Sequence, residues 1–347
     1  MTGQGPVRAL LADGRWHFQH GPIDLVIGID GDAGVRAAAI EDCWLAFTGV
    51  LRQLVVELQG LRSPSTPSLR LQGPVAVRMA RACAPYARDF GLFITPMAAV
   101  AGAVADHLIV TLRRAGIARA YINNGGDIAL HLTEGTSFDV GVVANAYAPR
   151  PRTSGGQRGD FATRQLCAAG ATRACQRAAL VGGGGTGISR QTPPSTHSPH
   201  PNAPPQAGEG IDAALRIDAS MPVRGIATSG WRGRSFSLGI ADSVTVLAAD
   251  GATADAAATM IANEVDIEHP AIERAPADSL RDDTDLGSRL VTVDVPCLPR
   301  DDVEAALDNG LAFARRCRDR GLIHAALLTL QGRTRMLNPH FNEVALT

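Results

Sequence analysis

The stretch MPVRGIATSGWRGRSFSLGIADSVTVLAADGATADAAAT, residues 221–259, decides the fold and contains the main candidate site. An apolar strand pattern ends in Ala227-Thr228-Ser229-Gly230. Two hydroxyls beside a glycine, with free backbone N–H groups, are typical of a turn that wraps a phosphate. Two strands are predicted next, at Ser235–Ile240 and Ser243–Leu247, and an alanine-rich helix is predicted to begin near Ala252.

Asp255 and Thr259 lie one turn apart in that helix, so their side chains fall on one face. They offer two hard oxygen ligands to Mg²⁺, which commonly takes few protein ligands together with substrate phosphates. The spacing therefore indicates a metal-assisted phosphate or pyrophosphate site. The alternative is that both residues serve the start of the helix, through its dipole and through local hydrogen bonds.

A third motif, Asn123-Asn124-Gly125-Gly126-Asp127-Ile128, follows an apolar run that starts at Ile117. Paired glycines inside a strand pattern mark a bulge or a close approach of the backbone to a ligand. Asn-Gly is equally common as a two-residue hairpin turn, so the motif alone leaves both interpretations open.

The three motifs occur in one order, and this ordered set resembles the flavin transferases of the ApbE type, the FAD:protein FMN transferases. The chain is still more similar to an uncharacterised family related to them. The resemblance covers about residues 7–148 and 213–332. It implies an α+β fold of the ApbE-like, T-fold-related type, with antiparallel sheets backed by long helices and two structurally similar halves.

The resemblance also implies roles for individual residues. The aspartate and threonine of the transferase helix hold Mg²⁺, which points to Asp255 and Thr259 as catalytic and metal-binding residues. A backbone carbonyl near the start of an upstream helix completes that site, which points to Val100. The motifs that line the FAD site point to Asn123, Gly125, Gly126, Asp127, Thr228, Ser229 and Gly230.

The implied activity is Mg²⁺-dependent transfer of FMN from FAD to a hydroxyl of an acceptor protein. Two departures from the family pattern favour other readings. Ala101 stands where the transferases have a lysine, and the chain contains no lysine at all; residues 234–242 lack the usual histidine-containing segment. The alternatives are a non-catalytic flavin-binding or assembly protein, and an enzyme that acts on another nucleotide-like or pterin-like substrate.

Composition restricts the other possibilities. A net charge of −1 gives no electrostatic case for binding nucleic acid or an anionic membrane. The six scattered cysteines argue against a disulfide framework and against a zinc site. Residues 1–20 lack the apolar core of a signal peptide, and no apolar run is long enough to span a membrane. We therefore expect a cytoplasmic protein, whose oligomeric state the sequence leaves open.

Residues 149–212 are rich in proline, glycine and arginine and show no strand or helix period, so they are predicted to be a disordered insertion. One domain is expected from residues 1–148 and 213–347. The alternation of helices with paired strands favours α+β. Beyond the opening segment, helices are predicted at 35–58, 95–114 (capped by Thr95) and 301–318, and strands at 22–31, 117–123, 138–143, 290–295 and 324–331.

Overall fold

The computed structural model describes residues 5–142, 178–181, 213–337 and 342–343. The first part of the chain contains two hairpins separated by helices. Its elements are β1 (Val7–Leu10), β2 (Trp16–His20), β3 (Ile23–Gly31), α1 (Ala33–Val56), α2 (Leu58–Leu61), α3 (Pro74–Phe90), α4 (Val100–Leu112), β4 (Ile117–Asn124) and β5 (Asp127–Leu132). A single 3₁₀ turn, Pro96–Ala99, leads directly into α4.

The second part repeats this plan. Its elements are β6 (Ser137–Val142), β7 (Ala178–Val181), β8 (Ala213–Asp218), β9 (Gly225–Ser229), β10 (Ser243–Ala248), α5 (Gly251–Glu264), β11 (Glu273–Pro276), α6 (Ala277–Leu280), β12 (Leu290–Asp294), α7 (Arg300–Asp319), β13 (Ala325–Leu330), β14 (Arg333–Leu337) and β15 (Asn342–Glu343).

Nine strands form one antiparallel sheet in the order β1-β2-β3-β4-β5-β9-β10-β13-β14. The sheet contains two units of the same plan, each a hairpin followed by helices and a second hairpin. The first unit is β2-β3, α1 to α4 and β4-β5, and the second is β9-β10, α5 to α7 and β13-β14. The predicted α+β class with antiparallel sheets is therefore confirmed.

The large sheet is covered on both faces. The helices pack on one face, where Leu25 and Ile122 of the sheet meet apolar residues such as Phe47 and Leu108. A second sheet, β15-β8-β6-β7, packs on the other face, where Phe138 and Leu215 meet Ile128. Because side chains alternate along a strand, neighbouring residues of the central strands contact different layers.

Two local predictions are wrong. Ser235–Ile240 is a loop and not a strand, because its backbone bonds to other elements: Asn263 Oδ1 accepts from the Leu238 N–H at 2.9 Å, and the Ile240 N–H donates to the Val265 carbonyl. Thr95 makes no capping bond with its side chain; its hydroxyl donates instead to the carboxylate of Asp285.

The predicted insertion, residues 149–212, lies outside the described residues except for Ala178–Val181. These four residues form β7, which pairs antiparallel with β6. The sequence gives no sign of this strand, because its pattern is not periodic. None of the helices in the described ranges is long and apolar enough to cross a membrane.

Candidate functional site

The N-terminal turns of α4 and α5 meet at two glycines. A Cβ atom on Gly102 would stand 2.1 Å from the carbonyl oxygen of Gly251, and one on Gly251 would stand 3.0 Å from the carbonyl oxygen of Gly102. Only residues without side chains allow the two backbones to come this close. Each helix then carries an aspartate four residues after its glycine, Asp106 in α4 and Asp255 in α5.

The two aspartates bind the opposite helix in a reciprocal way. Asp106 accepts hydrogen bonds from the backbone N–H groups of Gly251 and Ala252, at 2.9 and 2.8 Å. Asp255 accepts one from the N–H of Gly102 at 3.0 Å, and the N–H of Ala101 also bonds to it. Each carboxylate therefore accepts hydrogen bonds from N–H groups that have no partner within the first turn of their own helix.

Asp106 is fully enclosed, with 3% of its surface exposed. Burial raises the pKa of its carboxyl from 3.8 to about 6, and the charge of Asp250 adds to this effect. The two N–H donors act in the opposite direction, because they stabilise the ionised form. The sequence analysis assigned no role to Asp106.

Asp255 differs because it is partly exposed. Burial of the Asp255 carboxyl raises its pKa well above the usual value, and the negative charge of Asp127 raises it further. The N–H groups of Gly102 and Ala101 lower it. The structure thus brings together two of the predicted residues, Asp127 and Asp255, that lie 128 positions apart in the sequence.

Asp127 is positioned by the turn between β4 and β5. Gly125 and Gly126 both have positive φ values, 68° and 114°, and they connect the paired residues Asn124 and Asp127. The hairpin turn that Asn-Gly indicated is therefore present, with Gly125 and Gly126 as its two turn residues. Asn123 Oδ1 accepts from the Gly126 N–H at 2.8 Å and closes the turn.

Asn124 ties this turn to α4, because its Nδ2 donates to the Ala101 carbonyl oxygen at 3.1 Å. Ala101 is also one of the two residues whose N–H groups bond to Asp255. The same first turn of α4 therefore fixes both the hairpin that carries Asp127 and the carboxylate of Asp255. We call Asp127, Asp255 and this turn, Val100 to Gly102, the carboxylate site.

The predicted turn at Thr228–Gly230 is wrong, because Thr228 and Ser229 are the last residues of strand β9, and the segment contributes less to the site than the sequence predicted. The Thr228 N–H donates to Asp127 Oδ1 at 3.3 Å, but its hydroxyl bonds to the Thr245 hydroxyl at 2.9 Å. Ala227 packs against the helices, so strand alternation directs Thr228 to the opposite face of the sheet. A Cβ on Gly230 would stand 2.3 Å from the Asp242 carbonyl oxygen, so backbone packing accounts for this glycine.

The remaining predicted residues are Thr259, Ser229 and Val100. Thr259 is partly exposed one turn beyond Asp255, and Ser229 is partly exposed at the end of β9. Val100 is the first residue of α4, next to the residues whose N–H groups bond to Asp255. Trp231, which follows Gly230 directly, is covered by the guanidinium of Arg232 at 4.7 Å from the ring centre.

A metal at this site would need ligands other than a ready-made acidic cluster. In the described ranges, no group of three or more histidine, cysteine, aspartate or glutamate side chains is arranged to hold one. The carboxylate site provides two carboxylates, and its other candidate ligands are the Thr259 hydroxyl and the Val100 carbonyl. All of these are hard oxygen atoms, which suit Mg²⁺ and not a soft transition metal.

The fold and this site define an α+β protein with a pair of carboxylates at the junction of two helices. The chain belongs to the bacterial family described as "AbpE bacteria", whose sequence model matches residues 8–174 and 202–336. The function of that family is unknown. No curated protein matches the chain significantly.

Proposed function

We propose that the carboxylate site binds Mg²⁺ together with the pyrophosphate of a flavin dinucleotide, FAD, on an ApbE-like fold. The observation that carries this proposal is that the charge of Asp127 lies near the partly exposed Asp255 and raises the pKa of its carboxyl. Two carboxylates held close together repel each other, and a divalent cation between them and a phosphate removes that repulsion.

The residues present suit such a cation. Asp255 and Asp127 would supply its carboxylate oxygens, and the Thr259 hydroxyl and Val100 carbonyl its neutral ones. When bound, Mg²⁺ neutralises charge on the pyrophosphate and on the transition state of its cleavage. The N–H groups of Ala101 and Gly102 hold the Asp255 carboxylate in a fixed orientation, and Asp106 holds the start of α5 against α4.

The activity that follows is Mg²⁺-dependent cleavage of FAD at the pyrophosphate, with FMN transferred to a hydroxyl of an acceptor protein. The AMP leaving group is the product that does not depend on which acceptor is used. Incubation of the full chain with FAD and Mg²⁺ should therefore release AMP, and Asp255→Asn should abolish the release. Asp308→Asn is the control, because Asp308 is an exposed carboxylate paired with Arg335 at 2.7 Å.

A second candidate is a protein that binds the flavin nucleotide without cleaving it. Ala101 supplies only a methyl group where the transferases have a lysine, and the loop at 235–240 contains no histidine. A lysine contact to phosphate cannot be replaced by a methyl group, whereas a backbone carbonyl ligand does not depend on residue type. FAD binding that requires Mg²⁺ without AMP release would support this candidate, and absence of flavin binding would contradict both.

The proposal includes a cytoplasmic location. The four cysteines of the described residues, Cys43, Cys83, Cys297 and Cys317, are all unpaired thiols, and three of them are buried. Free thiols persist in a reducing compartment, where disulfides are rare. Fractionation of cells that produce the chain would test this location directly.

A further inference from the structure

A cavity of about 310 Å³ lies at the opposite end of α5 from the carboxylate site. Its walls come from the end of α5, the residues that follow it and one face of α7. Glu264 lies nine residues beyond Asp255, which corresponds to ~14 Å along the helix axis. The lining residues are Asn263, Glu264, Asp266, Asn309, Ala312, Phe313 and Arg316.

The cavity holds two opposite charges. The Glu264 carboxylate is partly buried, burial raises its pKa, and the charge of Arg316 acts in the opposite direction. Within the described part of the chain, neither the Glu264 carboxylate nor the Arg316 guanidinium forms an ion pair or a hydrogen bond; the exposed guanidinium only lies over two aromatic rings. A half-buried carboxylate without an ion-pair partner is costly and an exposed guanidinium is accessible, so both groups are suited to pair with a ligand.

The other polar walls are already fixed. Asp266 forms an ion pair with Arg274, and its carbonyl oxygen accepts from Asn309 Nδ2 at 2.9 Å. Asn263 Oδ1 accepts from the backbone of the loop at 235–240. These bonds hold the walls in place and leave Glu264 and Arg316 as the available charged groups.

Two aromatic rings hold Arg316 in place. Its guanidinium lies 5.0 Å from the ring centre of Phe90 and 5.6 Å from that of Phe313. These cation–π contacts do not use up the N–H groups, which can bind a carboxylate in a bidentate manner. Phe313 and Ala312 add an apolar surface to the cavity wall.

We propose that this cavity binds a free α-amino acid. The ammonium group would pair with the Glu264 carboxylate, the carboxylate with the Arg316 guanidinium, and the side chain would contact Phe313 and Ala312. A simple amine or a simple carboxylic acid would satisfy only one of the two protein charges. The geometry therefore selects a ligand with both charges on one small molecule.

The test is a calorimetric titration of the full chain with each standard α-amino acid at millimolar concentration. Any amino acid that binds is then compared with the amine and the carboxylic acid that carry the same side chain. We expect at least one amino acid to bind, and both analogues to bind at least about tenfold more weakly. Failure of every amino acid, or equal binding of an analogue, would overturn the proposal.

Variants locate the binding. Glu264→Gln and Arg316→Gln should each weaken binding at least about tenfold. Ala312→Leu should also weaken it, because it fills the cavity from an exposed position and keeps both charges. Arg315→Gln is the matched control: Arg315 is exposed, adjacent in sequence and absent from the cavity wall. Unchanged affinity in the first three variants would contradict the assignment, and the titration involves neither FAD nor Mg²⁺.

Discussion

Asp106 and Asp255 are the same residue type with the same kind of partner, yet their surroundings differ. Each accepts hydrogen bonds from N–H groups in the first turn of the opposite helix, and each lies four residues after a glycine. Asp106 is fully enclosed, whereas Asp255 is partly exposed and lies near Asp127. The hydrogen bonds alone therefore do not separate a structural carboxylate from a ligand-binding one.

Exposure does separate them. The ionised form of Asp106 is opposed by burial and by the charge of Asp250, and two N–H donors compensate for this, so Asp106 fastens α5 to α4. Asp255 is accessible to a ligand, and the charge of Asp127 lies near it. We infer that Asp106 is retained for stability and Asp255 for binding, and the following changes test this division.

The largest effect is expected from Gly102→Ala. The new methyl group would stand 2.1 Å from the Gly251 carbonyl oxygen, so the two helices would have to separate. The free energy of unfolding should fall by about 3 kcal/mol, as measured by chemical denaturation. Gly49→Ala in α1 is the control, because its Cβ has room at 3.5 Å and it should stabilise the protein by about 0.5–1 kcal/mol. Equal effects would contradict the close contact.

Asp106 should make stability depend on pH. Its folded pKa is about 6 against an ordinary value of 3.8, so between these values the folded state binds more protons than the unfolded state. The free energy of unfolding of the wild type should therefore fall as pH rises from about 4 to about 6. Relative to Asp106→Asn, which cannot titrate, this loss should be on the order of 2–3 kcal/mol. Parallel pH profiles of the two proteins would argue against a titrating Asp106.

Asp255→Asn should behave differently from a structural substitution. At pH 8 and without metal, removal of the charge relieves repulsion from Asp127 and the cost of burial. The variant should be as stable as the wild type or more stable, by up to about 1 kcal/mol. The exposed control Asp308→Asn should change stability by less than about 0.5 kcal/mol. A marked loss of stability in Asp255→Asn would mean that it fastens the helices as Asp106 does.

The smallest effects are expected at the end of β9. Thr228→Val would leave the fully buried Thr245 hydroxyl without its partner and should cost about 1 kcal/mol of stability, with FAD binding unchanged. Ser229→Ala should leave stability within about 0.5 kcal/mol and weaken FAD binding. Denaturation curves and fluorescence titrations with FAD measure both quantities. The opposite assignment of the two effects would show that the hydroxyls had been placed on the wrong faces.

The sequence predicted the elements that depend on local pattern. The spacing of apolar residues located α1 and α7, and the Asn-Gly dipeptide indicated the hairpin turn, whose two residues Gly125 and Gly126 both have positive φ. It also predicted Asp255 and Asp127 as site residues, through a resemblance in motif order. The closeness of their two carboxylates became visible only in the fold.

Features that depend on distant partners could not be predicted. Phe236, Leu238 and Ile240 alternate like the apolar residues of a strand. The N–H groups of Leu238 and Ile240, however, donate to Asn263 and Val265 and not to a neighbouring strand. The local sequence predicted that the Thr228 hydroxyl binds a phosphate. Its hydrogen bond to the Thr245 hydroxyl could not be predicted, because it depends on the register of β9 and β10. The role of Asp106 depends on an N-terminus that lies 145 residues further along the chain.

The most direct test of the proposed function is a calorimetric titration of the full chain with FAD, in the presence of Mg²⁺ and again with the metal chelated. Mg²⁺ should tighten binding to the wild type and to Asp308→Asn at least about tenfold, and should have no effect on Asp255→Asn. FAD binding that is equally strong after chelation, or a normal response to Mg²⁺ in Asp255→Asn, would contradict the assignment of the carboxylate site.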